Sequence, residues 1–279
     1  MRIIEAGELR RAVARLAVEA NRFLPADVEY ALQEARNQAS HDLARQVLDD
    51  ILLNHRLARQ DELPLCQDTG AAVVFVELGQ DVYINNGLLT EAIQRGMADG
   101  YAQGYLRKSM VGALDRRNTG DNTPAIIHIE VVAGAKLKIT LAPKGGGAEN
   151  MSRLAMLQPS AGIKGVKGFV LETVRLAGPN ACPPLVVGVG IGGNFEQVAW
   201  LAKKALLRPL SSRAAEEAAA VLEQELLADI NALGIGPQGF GGGVTALAVL
   251  VENRPCHFAS LPVAVNLNCH VARHQSLTL

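Results

Sequence analysis

Three of the four cysteines of this chain stand far apart, Cys66 in LPLCQDTG, Cys182 in GPNACPPL and Cys269 in LNCHVARH, each in a loop-like setting of polar and small residues. Separations of 116 residues (66 to 182) and 87 residues (182 to 269) rule out the compact CxxC pairs of zinc ribbons. A fold that gathers three loop tips would instead leave a cluster iron with an open coordination position, and hence a Lewis acid. Pro183 and Pro184 stiffen the chain after Cys182, and rigid loops suit cluster ligands. Spacing alone also permits three free thiols holding no metal. Cys256, in ENRPCHFAS, reads as a core or turn thiol.

Other polar residues gather near these cysteines. Cys66 is followed by Gln67, Asp68, Thr69 and Gly70, just before the strand-like AAVVFVEL. That is dense polar chemistry at a strand end, or else a turn in which Asp68 caps backbone amides. Glycines concentrate in KGGGAEN (144–150), GVGIGGN (188–194) and GIGPQGFGGG (234–243). The first two separate a predicted strand from a predicted helix, where backbone N–H groups can converge on a carboxylate or phosphate; tight turns and close packing are the plainer reading. Gly188, Gly190 and Gly193 formally satisfy GxGxxG, but no second strand with an acidic end follows, so a dinucleotide site is disfavoured. Arg107 in YLRKSM and Lys144 before the glycines are better carboxylate binders than Lys203 and Lys204, which read as solvated helix positions. His257 lies at the mouth of a predicted hairpin, where an imidazole could bond substrate or shuttle a proton.

The elements that must position these residues are legible in the periodicity. Residues 5 to about 59 read as helices, with Pro25 opening the second, because apolar positions recur at three and four. AAVVFVEL then begins a sheet, LLTEAIQRGMADGYAQGYL is helical, and IIHIEVVAGAKLKITLAP reads as two strands joined by a tight Ala-Gly turn. GIKGVKGFVLETVRLAG is a helix ending at Gly178, LVVGVGIG is a buried strand entering the helix FEQVAWLAKKALL, and AAEEAAAVLEQELLADINALG is a long helix closing at Gly234. VTALAVLVENRP and HFASLPVAVNL predict a hairpin, and HVARHQSLTL a tail without further elements. With no sequence repeat or linker, the expectation is one α+β domain over 1–279, a helical N-terminal layer (1–60) followed by a mixed sheet flanked by helices (61–279).

Composition bounds the partners. The 27 Lys and Arg nearly balance 28 Asp and Glu, giving net charge -1 and no broad basic field for nucleic acid. Hydrophobic content of 49% and mean hydropathy of +0.14 permit a large core. No apolar run approaches the span of about twenty residues that a membrane helix needs. Four cysteines are too sparse for a disulfide scaffold, and the N-terminus is an amphipathic helix rather than a signal peptide. A cytoplasmic protein with reduced thiols, no nucleic acid and no membrane is expected.

Taken in order, LPLCQDTG, NTGDNTPA, KGGGAENMSRLAML, GPNACPPLVVGVGIGGNFE, LLRPL, LGIGPQGFGGG, HFASLPVAVNLNC and VARH closely resemble the α part of class I (iron-sulfur) fumarate hydratases and the related L(+)-tartrate dehydratases. The resemblance implies a class I fumarase N-terminal-domain-like fold and an oxygen-sensitive [4Fe-4S] cluster held at the positions of Cys66, Cys182 and Cys269. It implies that the iron lacking a cysteine binds substrate oxygens as a Lewis acid; metal coordination can lower the pKa of bound water from 15.7 to about 7. Gln67, Asp68, Arg107, Gly146 and His257 match positions that contact the C4 dicarboxylate, with Asp68 and His257 the candidates for proton transfer or for holding the hydroxyl. The part that in single-chain members supplies a threonine base with arginine and lysine contacts lies beyond Leu279, so a separate β subunit in an α2β2 assembly is expected, and this chain alone should be inactive. Hydration of fumarate to L-malate is the first expectation, favoured by KGGGAEN; dehydration of L-tartrate to oxaloacetate is the second. A non-catalytic cluster or iron-responsive protein would not need Gln67, Asp68, Arg107 and the KGGG run.

Overall fold

Apolar residues spaced at three and four build the first helices in the computed structural model, which describes residues 1–279. A short strand, β1 (Arg2–Glu5), leads into α1 (Ala6–Arg22), followed by α2 (Ala26–Asn37) and α3 (Asp42–Gln60). In α1 the buried Leu9, Val13, Leu16 and Ala20 define one face. The chain continues through β2 (Ala71–Gly79), β3 (Val82–Asn85), α4 (Leu89–Gln103), β4 (Ile126–Val132), β5 (Leu137–Lys144), the single-turn α5 (Gly146–Asn150) and β6 (Arg153–Leu157). It ends with α6 (Gly162–Ala177), β7 (Leu185–Gly193), α7 (Phe195–Ala205), α8 (Glu217–Ala232), β8 (Ala246–Cys256), β9 (Leu261–Asn268) and β10 (Gln275–Thr278). Helices and mixed sheets together make an α+β fold. No helix is long and apolar enough to cross a membrane.

These elements divide into two interleaved units. One comprises Met1–Pro25, His55–Gly146 and Arg273–Leu279, the other Ala26–Asn54 and Gly147–Ala272. The first contains a sheet of order β10-β5-β2-β4, in which β4 runs parallel and β5 antiparallel to β2. The two strands expected around the Ala-Gly turn therefore form but are not neighbours, because β2 lies between them. Residues 133–136 pass over the end of β2, where Gly79 N and Gln80 N donate to Lys136 O and Val132 O, both at 2.8 Å. A Cβ on Gly79 would lie 2.5 Å from Gly134 O, so only glycine admits this crossing. One face of the sheet meets α1 and α4, with Leu9, Val13, Ile93, Met97 and Tyr101 packed on Val74, Val76, Ile139 and Leu141. Each such aliphatic burial stabilises by about 1.5–3 kcal/mol.

The tail read as structureless is a strand. β10 pairs antiparallel with β5, Gln275 opposite Leu141 and Thr278 opposite Lys138. Its four residues, QSLT, are too few and too polar to announce themselves by alternation; tertiary pairing decides.

The second unit repeats the plan. Its sheet has the order β6-β9-β7-β8, with β8 parallel and β9 antiparallel to β7, and β6 antiparallel to β9. The hairpin expected between β8 and β9 is again split by the unit's first long strand. Val166, Val170 and Val174 of α6 and Leu222, Leu226 and Ile230 of α8 pack on Val187, Val189, Val265 and Leu267. On α7, Val198 and Ala202 pack with Ala264. Gly188 and Gly190 decide how closely α7 approaches, since a Cβ there would fall 2.1 Å from Ala202 O and 2.2 Å from Val198 O. The GVGIGG run is thus a helix-packing device. In LLRPL, Arg208 Nη1 bonds Glu223 Oε1 at 2.9 Å and Val251 O at 3.0 Å, fastening the α7–α8 connection to β8.

His55 on α3 gives the protein an acid-sensitive point. It is 5% exposed, and burial, followed by the charge of Arg59, lowers its pKa from 6.5 to about 4. The unfolded chain therefore takes up this proton first. Stability is fully present above about pH 6.5 and falls as pH drops toward 4, by up to about 3 kcal/mol. Urea midpoints should decline through that window, and His55→Gln should flatten the decline; an equal slope in the variant would refute the assignment.

Candidate functional site

In the first unit, the N-terminal ends of β2 and β4, the C-terminal end of β5 and the start of β10 all lie at one end of the sheet, as their pairing requires. The cysteine loop 66–70 enters β2 there, and the glycine run leaves β5 there. Asp68 joins them: its Oδ1 accepts from Gly70 N at 3.0 Å and its Oδ2 from Gly146 N at 2.7 Å. Both readings of QDTG are thereby met at once, since Asp68 caps amides and is also fixed beside the glycines. Gly70, at φ +70°, leaves no room for a side chain, because a Cβ would lie 2.5 Å from Lys144 O.

Several residues hold this loop from behind. Tyr101 Oη donates to Thr69 O at 2.7 Å, Asn122 Nδ2 donates to Gly70 O at 3.1 Å, and Thr69 Oγ1 donates to Arg107 O at 2.6 Å. Asn122, itself fully buried, also accepts from Ser109 N at 2.6 Å and Met110 N at 3.2 Å, so it ties the Arg107 loop to the Cys66 loop. Arg273, 4% exposed, donates from Nη2 to Asp68 O at 2.6 Å. Burial pushes the Tyr101 hydroxyl up to about 12, keeping it a donor. Gln67 and Arg107 are exposed, Asp68 and Cys66 are half-buried, and Gly146 is exposed. Lys144 is buried rather than presented to solvent.

The second unit places its residues at the matching end of its own sheet. Cys182 precedes β7 and Cys269 follows β9, which is antiparallel to β7, with Val186 opposite Asn268. His270 N donates to Cys182 O at 3.1 Å, so the two loops touch. Cys182 is exposed and left-handed at φ +54°, and Cys269 is partly exposed. Glu149, from the glycine run, pairs with Lys203 and accepts from Asn266 Nδ2 at 3.0 Å. Lys203 is thus an ion-pair partner in this cluster and not a solvated helix residue, whereas Lys204 lies over the Trp200 ring at 4.6 Å.

His257 is not brought to that end. It lies in the turn between β8 and β9, and β9 alone spans eight residues, about 26 Å at 3.3 Å per residue, before Cys269. Its ring sits 4.6 Å from that of Phe258, and its Nδ1 accepts from Ala259 N at 3.2 Å. Cys256 Sγ, in the same turn, donates to Ser260 O at 3.2 Å, as a turn thiol would.

All four cysteines are free thiols, and no three His, Cys, Asp or Glu side chains stand close enough together to hold a metal ion. Cys66 belongs to the first unit, and Cys182 and Cys269 to the second. By donor type, free thiols in polar strand-end loops suit a thiolate-ligated cluster, and within the second unit the Cys182 and Cys269 loops are joined by a hydrogen bond. Of the supporting residues, Tyr101 carries no sequence signal, being one aromatic in an amphipathic helix. Asn122 and Arg273 lie within NTGDNTPA and VARH, motifs whose residues had no individual role until their hydrogen bonds were seen.

The family described as fumarate hydratase (Fumerase) matches residues 10–278. A protein of Methanocaldococcus jannaschii named "Putative L(+)-tartrate dehydratase subunit alpha" is 43% identical over 267 residues, 94% of each chain. Proteins of Escherichia coli K12 and Shigella sonnei named L(+)-tartrate dehydratase subunit alpha are each 32% identical over 274 residues, 97% of this chain and 90% of theirs.

Proposed function

This chain belongs to the fumarate hydratase (Fumerase) family, a family of hydro-lyases, and on that premise we propose that it is the α subunit of an iron-sulfur enzyme that dehydrates L(+)-tartrate to oxaloacetate. The observation that carries a dicarboxylate site is the Asp68 carboxylate, held by Gly70 N and Gly146 N beside a loop of exposed donors. The 43% identical relative supports tartrate over the first expectation, fumarate.

Gln67 and Arg107 supply exposed donors suited to carboxylate oxygens, and Arg107 binds carboxylates as a planar fork. Asp68 uses both oxygens as acceptors from backbone N–H groups, and its remaining lone pairs can accept a substrate hydroxyl proton in a hydrogen bond. Gly146 serves the site by fixing Asp68. Cys66, Cys182 and Cys269 would hold a [4Fe-4S] cluster, which when bound supplies Lewis acidity toward the departing hydroxyl. His257 stands at the other end of the second sheet from Cys182 and Cys269, and its part as a substrate contact rests on the family resemblance alone. The reaction removes one hydroxyl and the hydrogen on the adjacent carbon as water, and the enol left behind becomes oxaloacetate.

The relatives' names, each a subunit alpha, support a separate partner subunit, and in this reading that β subunit completes the pocket. Fumarate hydration to L-malate is the second reading, favoured by the KGGGAEN run. Anaerobic reconstitution with iron and sulfide, with and without the β subunit, followed by separate assays on L-tartrate and fumarate, tests both. Tartrate turnover that requires both chains is the expected result. Fumarase activity alone would select the second reading, and steady turnover by this chain by itself would sink the two-subunit proposal.

A further inference from the structure

The outer edge of the first unit's sheet is a bare apolar strand. β4, with sequence IIHIEVV, is bonded to β2 on one side only. Ile126 and Ile129 are 44% exposed, Val131 68% and Val132 37%. Natural edge strands are blunted by lysine, proline, bulges or shortness, because unpaired N–H and C=O groups recruit other strands. Over seven residues β4 has no lysine, proline or bulge, and Glu130 is its one carboxylate.

The direction of its free groups follows from one hydrogen bond. Gln80 N donates to Val132 O, so Val132 turns its main-chain groups toward β2, and by alternation so do Ile126, His128 and Glu130. The N–H and C=O groups of Ile127, Ile129 and Val131 consequently point outward.

We propose that β4 pairs antiparallel with β4 of a second copy of this chain about a two-fold axis at Ile129, joining two four-stranded sheets into one. In that register Ile129 faces Ile129 and Ile127 faces Val131 as hydrogen-bonded pairs, using every outward group. His128 faces Glu130 in the pairs between them, where antiparallel side chains come closest. The charge pattern selects the occupant: one imidazole and one carboxylate two residues apart meet their opposites twice when the strand meets itself. Ile126 facing Val132 adds a β-branched pair at each end, the kind that favours cross-strand contact. Glu130 lies in register with Glu77 of β2, whose carboxylate is already held by Lys138 Nζ at 2.8 Å. The interface is isologous, as a closed dimer requires. It rests on the strand's geometry and is independent of the substrate reading.

Sedimentation velocity on the full chain at micromolar concentration tests it, with far-UV circular dichroism to confirm folding. Wild type should sediment at about twice the 29.6 kDa chain mass. Ile129→Pro removes an outward N–H while sparing the ladder to β2, so it should give a folded monomer. E130K should weaken association at least about tenfold by setting lysine against His128. The double variant H128E/E130K should restore the dimer, because carboxylate and ammonium again face each other. A monomeric wild type, a dimer indifferent to both single changes, or failure of the double variant to recover would each overturn the proposal. So would a monomeric chain whose Ile129→Pro variant loses binding to the β subunit, since that would give the edge to a different partner.

Discussion

Serine in place of Cys66, Cys182 or Cys269 is expected to reduce hydro-lyase turnover of the reconstituted enzyme by about a thousandfold or more, with loss of bound iron. A cluster ligand must be a thiolate, and a serine hydroxyl neither ionises near neutral pH nor offers a soft donor. Lewis-acid stabilisation is worth several kcal/mol, and about 4 kcal/mol corresponds to the thousandfold. Cys256→Ser supplies the internal control. Its thiol only donates to Ser260 O in an exposed turn, and a hydroxyl can make the same bond. Iron content and activity should survive that change. If Cys256→Ser fails like the others, or if any of the three retains full iron and rate, the ligand assignment is wrong. Serine at Cys182 also tests fold against chemistry. The left-handed backbone at that residue suits neither side chain better, so stability should move little while iron is lost.

The residues that announce themselves by type were readable from the chain, and those that act by position were not. Helices with a buried face, such as α1 and α6, follow from apolar spacing alone. The strands β2, β7 and β9 follow from dense β-branched runs. Their order did not, because β2 inserts between β4 and β5, and β7 between β8 and β9, two pairs of strands consecutive in sequence, and periodicity carries no information about that non-local pairing. For the same reason no internal repetition was visible, although β2, β4 and β5 of one sheet and β7, β8 and β9 of the other share one order and one set of directions. Shared topology also explains where the chemistry sits. The loop before the central parallel strand carries Cys66 ahead of β2 in one unit and Cys182 ahead of β7 in the other, and the loop after its antiparallel partner carries KGGG after β5 in one and Cys269 after β9 in the other. His257 was drawn toward the site by its motif, yet the length of β9 holds it away from Cys269. Tyr101, Asn122 and Arg273 became recognisable only as donors to the Thr69, Gly70 and Asp68 carbonyls.

Asp68→Asn should lower kcat by about a hundredfold while moving KM much less. The carboxylate uses one oxygen for Gly70 N and the other for Gly146 N. An amide retains one acceptor and turns an NH2 group toward the second N–H, replacing attraction with a donor–donor clash. A hydrogen bond to a charged group is worth about 1.5–3 kcal/mol, and 2.7 kcal/mol is about a hundredfold. The loss falls on kcat if Asp68 orients the hydroxyl as the C–O bond breaks, because binding of the carboxylates rests on other donors. Arg273→Met separates positioning from chemistry. It leaves the Asp68 carboxylate intact but removes the Nη2 donor from Asp68 O inside a buried setting, so the melting temperature should drop together with kcat. Asp68→Asn loses one of two folded-state acceptors, so it should lower kcat with a smaller drop in melting temperature than Arg273→Met, because Asp68 is half-exposed and Arg273 is buried. A variant Asp68→Asn that turns over at the wild-type rate would remove Asp68 from the catalytic set. An Arg273→Met enzyme that loses rate without losing stability would mean that Arg273 acts on substrate and not through the loop.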